Sequence, residues 1–534
     1  MPDIHDVTTL LAEAALDRPE MLAVVESGGR SVTWGVLEDE VARVATGLGA
    51  AGVVAGQRVV VAMGNRIEFV TSYLGVLRAQ VVAVPVNPRS TAGELARMIA
   101  DSGSVVVVAD GETIATVRDA VRLVRSALAG DTDELDADLV ERAHDPRVYV
   151  VDGEPAEGEQ AYDALRSAAP RPVPPLPDPE KLACLLYTSG TSGRPRAAML
   201  THRALVANIE QAAEVQPPMI HGDDVVLGVL PLFHVYGLNA VLGGVLRHRA
   251  KLVLADRFDP QATLDLIDDE AVSVVPVAPP VFAYWAPEEN LRERLGPVRL
   301  MLSGSAPLSP ELLERFTEAT GIPVHQGYGL TEAAPIVTST LCSAGHQTGS
   351  VGAALPGIEI RLLDEHGSSP EGEDAGEIWI RGANVFSGYW PDGDGGPDAD
   401  GWWGTGDVGF LDASGDLFLV DRLKELVIVS GFNVYPVEVE DVIREVDGVA
   451  ETAVIGVEDA VTGQAVVAYV VPADEDGAGA LADAVRDHCA VRLARFKQPS
   501  RIEVVDRLPL TVTGKVQKGR LRGIERRRSL GLLE

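Results

Sequence analysis

The chain has 534 residues, 46% of them hydrophobic, and a formal net charge of −34, so it holds about three to four domain-sized cores with enough apolar content to fill them. So large an acidic excess excludes a nucleic-acid surface and electrostatic attachment to anionic lipid, since most of the molecule would be repelled by either. Three widely spaced cysteines, Cys184, Cys342 and Cys489, give neither a disulfide framework nor metal-ligand spacing and suit a reducing cytoplasm. Lysine is scarce, with six in the chain, so a lysine inside a motif carries information.

In chain order, the opening MPDIHDVTTLLAEAALDRPE is acidic and amphipathic and lacks the basic flank and apolar core of an export signal. The stretch 110–179, rich in Ala, Asp and Pro, reads as a surface excursion. Residues 182–187 are an apolar run that predicts a buried strand. After it, Gly190 and Gly193 let the main chain bend toward a ligand, Thr188, Ser189, Thr191 and Ser192 offer hydroxyls, and Arg194 and Arg196 bring positive charge. Such a loop suits phosphate, although similar runs also make solvated turns, and a P-loop is excluded because no Gly-Lys-Ser/Thr opens a helix here. Residues 225–246 are apolar over the length of a membrane span, but Pro231, His234 and Asn239 favour a buried strand, loop and helix, and no transmembrane helix is predicted.

Further Val- and Leu-rich strands are predicted at 272–277, 298–302 and 324–329, with a helix over 309–321 capped by Ser309 and stopped by Gly321. In an open α/β sheet the loops at the carboxyl ends of strands gather at a ligand crevice. The loop after 187, SGSAP at 303–307 and QGYGLTE at 326–332 should therefore converge. Near Asp421 the texture changes. A short helix at 437–446 opened by Pro436, strands at 451–457 and 465–471, a helix at 481–493 and a strand at 501–505 predict a compact α+β module.

Eight segments in order carry a resemblance: LYTSGTSGRPRAAMLTH, PLFHVYG, SGSAP, QGYGLTEAAP, GEIWIRGANVFSGYW, GWWGTGD, DRLKELVIVSGFNVYP and LPLTVTGKVQKGRLR. Together they resemble the adenylate-forming superfamily, in its acyl-CoA synthetase and 4-coumarate:CoA ligase branch. The resemblance implies an α/β fold: a large N-terminal domain of doubly wound α/β sheets plus a small β-barrel-like part, and a small mobile α+β C-terminal domain. The domains would span 1–421 and 422–534, with the hinge near Lys424. The implied reaction joins a carboxylic acid to ATP to give an acyl-adenylate and pyrophosphate, after which a thiol, that of coenzyme A, displaces AMP.

The resemblance also implies roles. Lys515 matches the lysine that bridges the carboxylate and the α-phosphate, and Glu332 the Mg²⁺-binding carboxylate. Thr188, Ser189, Gly190, Thr191, Ser192, Gly193, Arg196 and Thr331 would hold phosphate. Asp407 and Arg422 match the ribose contacts. The backbone of Gly304, Ser305, Ala306 and Pro307, together with the Tyr328 ring, would hold adenine, and Gln326, Gly327 and Gly329 would belong to the same cofactor site. His234 matches the residue between acyl pocket and thiol tunnel, Tyr236, Ala240, Gly327 and Gly329 would border the acid, and Ser430 and Gly431 would line the pantetheine channel.

Two residues depart from the family pattern: Arg196-Ala197 stands where Lys-Gly is usual, and Ser430 where many plant-type ligases have lysine. Arginine keeps the charge as a bulkier planar fork and alanine accepts a positive φ poorly, so the loop is expected to close differently over the β- and γ-phosphates, with slower adenylation. The uncharged acid-facing positions suggest an apolar acid, and the resemblance of PLFHVYGLNA to the fatty acyl and 4-coumarate branch implies a fatty acid, medium- or long-chain, although no residue here reads out chain length. An aryl acid of the coumarate type, transfer to a carrier protein, and a non-catalytic nucleotide or acyl binder stay open, as does a homodimer. The expected location is the cytoplasm.

Overall fold

Val-rich runs set the framework. The computed structural model describes residues 6–529 apart from 133, 175, 177, 189–195, 307, 309, 346–347, 365, 371–374, 423–424, 426, 430–431, 460–461, 474–477, 494 and 512–513. Among these residues, two large sheets form the N-terminal domain. The seven-stranded sheet runs Gln160–Ala161, Arg147–Val151, Val106–Asp110, Arg58–Ala62, Val82–Pro85, Leu182–Thr188, Arg196–Thr201, parallel but for its last pair. The nine-stranded sheet runs Ala353–Ala354, Ile336–Ser339, Val324–Gly329, Leu300–Ser303, Val274–Val277, Val225–Gly228, Lys251–Leu254, Leu22–Glu26, Ser31–Thr33, parallel at its centre and antiparallel at both edges.

Strand alternation divides the side chains between layers. Val59 and Val61 of one sheet and Val226, Val274 and Leu300 of the other share a core with Trp34, Phe69, Leu205 and Leu238, so helices lie sandwiched between the two sheets. Val60, Val107 and Val148 face outward onto the helices Ala92–Ser102 and Ile114–Ala129. Val275, Val277 and Met301 face the helices Pro260–Asp269, Pro280–Trp285 and Pro310–Thr320 on the opposite side. The arrangement is a five-layer stack, doubly wound as expected. The barrel-like part is a four-stranded antiparallel sheet of Glu359–Leu363, Gly376–Arg381, Trp403–Leu411 and Leu417–Arg422.

The strands predicted at 182–187, 272–277, 298–302 and 324–329 are all present within two residues of those bounds. Ser309, the expected cap, lies outside the described residues. The stretch 110–179 is a correction: it carries the helix Ile114–Ala129 and the sheet strand Arg147–Val151. Its small alanines pack where larger side chains would advertise a core, as in the buried row Val117, Ala120, Val121, Val124.

The C-terminal domain is a five-stranded sheet of Phe432–Val434, Val427–Val429, Gly463–Pro472 and Val449–Asp459, with Arg501–Val504 parallel to Gly463–Pro472. The helices Pro436–Arg444 and Ala478–Arg492 cover one face and Lys518–Ser529 the other. Pro436 stands in the first turn of its helix, where its missing N–H costs nothing.

Candidate active site

Strand ends and loops converge on one cleft of about 910 Å³, which holds residues from segments far apart in the chain: Thr188, Arg196, His234, Gly304, Tyr328, Glu332, Asp407 and Lys515. Ser305, Gln326, Gly327, Gly329, Thr331, Tyr236 and Ala240 line it as well. Ala306 continues the Gly304–Ser305 loop. Ser189, Gly190, Thr191, Ser192, Gly193, Pro307, Lys424, Ser430 and Gly431 lie outside the described residues. For Arg422 the backbone alone is described, and it pairs directly opposite Asp407 across the barrel sheet.

The two strands that flank the expected phosphate loop pair with each other. Leu182–Thr188 pairs antiparallel with Arg196–Thr201, in register Tyr187 to Ala197 and Thr188 to Arg196. Ala197 is therefore extended and buried, and the positive φ expected there is absent. The second of these strands is stitched to residues 387–390: Met199 N–H donates to Gly388 O at 3.0 Å, Ser387 N–H to Met199 O at 3.0 Å, and Trp390 N–H to Ala197 O at 2.9 Å. Those bonds carry Tyr389 beneath Arg196, whose guanidinium carbon is 3.8 Å from the ring centre.

Tyr389 in turn reaches the acidic side of the cleft. Its hydroxyl donates to Glu332 Oε1 at 2.6 Å, while Phe386 N–H donates to Glu332 O at 2.9 Å. Glu332 sits in the short 3₁₀ turn Thr331–Ala333 and is buried, as the left-handed Ala334 (φ 62) turns the chain away. A lone buried carboxylate flanked by hydroxyls fits Mg²⁺, which keeps waters and phosphate oxygens as its other ligands. Among the described residues no group of three or more His, Cys, Asp and Glu is placed to hold a metal with protein atoms alone.

Elsewhere on the cleft wall, Tyr328 Oη donates to Asp407 Oδ2 at 2.6 Å, and Asp407 N–H donates to Thr405 Oγ1 at 3.1 Å. The first bond fixes both the ring plane and the carboxylate. Ser305 is held at φ 74, a left-handed backbone that non-glycine residues rarely adopt and that clusters at functional sites. Ser303, which sequence reasoning passed over, is buried at 4% exposure on the cleft wall, and its Oγ has no hydrogen-bond partner among the described residues.

The segment carrying His234 hangs from Asn65. The Asn65 amide donates to Gly228 O at 3.1 Å and Leu230 O at 2.9 Å, and its Oδ1 accepts from Leu232 N–H at 2.8 Å. Tyr236 N–H donates to His234 Nδ1 at 3.3 Å, which leaves Nε2 to carry the proton. Burial, reinforced by the positive charge of Lys515, pushes the His234 pKa down to about 4. The Tyr236 ring presses on Gly304, where a Cβ would come within 2.9 Å of it.

Past Tyr236 the cleft continues as a channel between the helix His202–Ala213, the π-helix Tyr236–Gly243 and the sheet. Ile209, Ala212, Met219, Ile220, Val226, Val241 and Val274 line it, with Asn208, His248 and His325 as polar neighbours. None of these was singled out from sequence, because single apolar residues on a helix, strand or loop read as ordinary core and the three polar ones belong to no quoted motif. Tyr389 could have been found, since it lies inside GEIWIRGANVFSGYW.

Lys515 reaches the cleft on a tight hairpin from the C-terminal domain. Thr511 N–H donates to Lys515 O at 2.7 Å, Lys515 N–H donates to Thr511 Oγ1 at 3.0 Å, and Leu510 bridges Val516. Gly514 (φ 81) lands on Pro280, and a Cβ there would lie 2.5 Å from Pro280 Cγ.

Known proteins resemble the chain over most of its length. The family described as "AMP-binding enzyme" matches residues 11–390, and "AMP-binding enzyme C-terminal domain" matches 438–515. A 4-coumarate–CoA ligase 5 of Oryza sativa subsp. japonica is 33% identical over 98% of this chain and 95% of its own. A long-chain-fatty-acid–CoA ligase of Yersinia pestis is 33% identical over 88% and 85%. The ATP-bound crystal structure of MatB from Rhodopseudomonas palustris superposes with a TM-score of 0.84 at 32% identity, covering 97% of this chain and 99% of that one.

Proposed function

The chain belongs to the AMP-binding enzyme family, and from that membership we propose that it activates a medium- or long-chain fatty acid to its acyl-adenylate and then to its coenzyme A thioester. It is an AMP-forming acid–thiol ligase that uses ATP, Mg²⁺ and coenzyme A. The observation that carries the substrate reading is the channel past Tyr236, lined mostly by apolar side chains with Asn208, His248 and His325 among them, which runs from the level of Gly304 and Gly327 back to Val226 and Val274 near the starts of their strands. At about 3.3 Å per strand residue that path is about 10 Å long, room for roughly eight extended carbons or more.

In the first step a carboxylate oxygen attacks the α-phosphorus of ATP, and the bond to pyrophosphate breaks. Two anions must meet, so preorganised positive charge supplies the catalysis. Lys515 places its ammonium between them, and Arg196 faces the leaving phosphates. Glu332 would hold Mg²⁺, which would supply charge neutralisation at the phosphates when bound. Tyr328 lays its ring against adenine. Asp407, with about four lone-pair sites on its carboxylate, accepts ribose hydroxyls as well as the Tyr328 proton. In the second step the thiol sulfur attacks the acyl carbon, the bond to the adenylate oxygen breaks, and AMP leaves.

Lys515 fills the entry to the carbonyl, so the small domain, residues 422–534, rotates about Lys424 before the thiol approaches past His234. Ser430 and Gly431 then line the pantetheine path. Neutral His234 permits that passage without placing a charge in an apolar channel. The location proposed is the cytoplasm. No described helix is long and apolar enough to cross a membrane, and the three cysteines are free thiols.

A panel of aliphatic and aryl acids, assayed for pyrophosphate release with and without coenzyme A, tests the proposal. Turnover rising with aliphatic length to eight carbons or more supports it. Preference for hydroxycinnamic acids would establish the aryl reading, which the plant relatives favour, and adenylate formation that ignores coenzyme A would point to a carrier protein as acceptor.

A further inference from the structure

Three residues after Lys515, the helix Lys518–Ser529 begins with a lysine. An ammonium there opposes the helix macrodipole, whose positive end lies at the N-terminus. It is also nearly buried, with 11% of the side chain exposed. What holds it is a pair of carboxylates: Lys518 Nζ lies 2.9 Å from Glu440 Oε1 and 3.1 Å from Glu425 Oε2. Glu440, itself buried, also accepts Val454 N–H at 2.7 Å and has Arg444 at 3.5 Å, while Arg522 stands 3.8 Å from Glu425.

We infer that Lys518 is a positioning residue for the adenylation step, clamping the Lys515 hairpin to the helix Pro436–Arg444 and to the first residue beyond the pivot. This rests on the reading of Lys515 given above. The geometry makes the clamp a leash: three residue steps of at most about 3.6 Å each tie Lys515 to within about 11 Å of a fixed point. The hairpin is closed independently at its base, where Gln517 N–H donates to Pro509 O at 2.7 Å and Leu508 is buried. Lys515 is therefore carried on a short rigid arm.

The second half of the clamp concerns Glu425. Tied to Lys518 and Arg522, it belongs to the body of the small domain, and so the rotation is confined to the residues just before it. Flexing beyond 425 would part a buried ammonium from its carboxylates, which is costly when one charge is left uncompensated. The clamp thus couples the swing of the domain to a movement of Lys515, within the reach that three residues allow.

The test is the pair Lys518→Met and Lys518→Arg in the full-length enzyme, measured in each half-reaction and by thermal unfolding. Lys518→Met should lower kcat for pyrophosphate release about a hundredfold, the scale of a misplacement near 1 Å, with KM for ATP and acid changed by less than about threefold. Thioester formation from supplied acyl-adenylate should stay close to the parent rate, and Lys518→Arg, which keeps the charge, should recover most of the loss. A folded Lys518→Met that loses both half-reactions equally, or neither, overturns the inference. Should that variant not fold, Glu425→Gln, at the more exposed partner, must show the same one-sided loss in smaller degree, and equal losses there overturn it too. Lys515→Ala separates the two readings: if it spares pyrophosphate release, the role of Lys515 falls and this inference with it. If it abolishes release while Lys518→Met has no effect, the clamp alone falls.

Discussion

Arg196 and Tyr389 form a stacked pair, guanidinium carbon to ring centre 3.8 Å, and the same tyrosine hydroxyl is bonded to Glu332 at 2.6 Å. The residue proposed to face the phosphates and the proposed metal-binding carboxylate are thus joined through one side chain. The stack explains how an arginine serves where lysine is usual: its planar cation lies flat on an aromatic face, which an ammonium does less well.

Tyr389→Phe keeps the ring and the stack but removes the bond to Glu332. A hydrogen bond to a charged group is worth about 1.5–3 kcal/mol, so the Mg²⁺ concentration for half-maximal pyrophosphate release should rise about tenfold or more. Arg196→Met, which removes stack and charge together, should instead raise KM for ATP. If the two variants have the same effect on both quantities, the relay assigned to Tyr389 is wrong.

Lys515→Ala should lower ATP–pyrophosphate exchange by about two to three orders of magnitude, as the loss of one preorganised electrostatic contact does elsewhere. Conversion of supplied acyl-adenylate to thioester should be nearly unchanged. Exchange and thioester formation measured on one preparation decide it, and a parallel loss of both counts against the assignment.

The positions of Thr188, Glu332, Asp407 and Lys515 were marked in the sequence by the motifs that carry the family resemblance, since a threonine in a glycine-rich run, two turn carboxylates and a terminal lysine would each read as ordinary surface on their own, and the fold brings all four to one cleft. The channel was not legible. Ile209, Met219 and Ile220 occupy positions that any core could use, and the wide turns of Tyr236–Gly243 leave no mark on hydrophobic spacing. The strand Arg147–Val151 was hidden for a related reason, lying in a stretch whose Ala and Asp content resembles surface. Tyr389 was visible as part of a motif, but its tie to Glu332 spans 57 positions and appears only on folding.

Acid should weaken the fold in a defined window. Burial holds His234 and His202 near a pKa of about 4, with the charge of Lys515 a smaller cause at His234, against about 6.5 in an unfolded chain. Between those values the unfolded chain takes up protons that the fold refuses, so this contribution is full above pH 6.5 and is lost as pH falls toward 4. Unfolding temperatures across that range should drop, and His202→Gln should flatten the slope. In NMR titrations His234 should stay neutral from pH 6 to 9, and Lys515→Ala should shift its pKa upward. A His234 that titrates near 6.5 would contradict the geometry.

Chain-length selectivity should respond at Gly244, where a Cβ would come within 2.8 Å of Ile220 Cδ1 on the channel wall. Gly244→Val should push Ile220 inward, lowering kcat/KM for acids longer than about eight carbons at least tenfold while short acids are spared. A uniform loss across the series would mean that Ile220 does not bound the acyl chain.

The contact between Gly514 and Pro280 has a consequence for how the two lobes measure their separation. The gauge is a missing atom: backbone rests on a proline ring with no space for a methyl between them. Any side chain at 514 would act as a doorstop, leaving the ammonium beside it short of its target while every residue of the chemistry stayed intact.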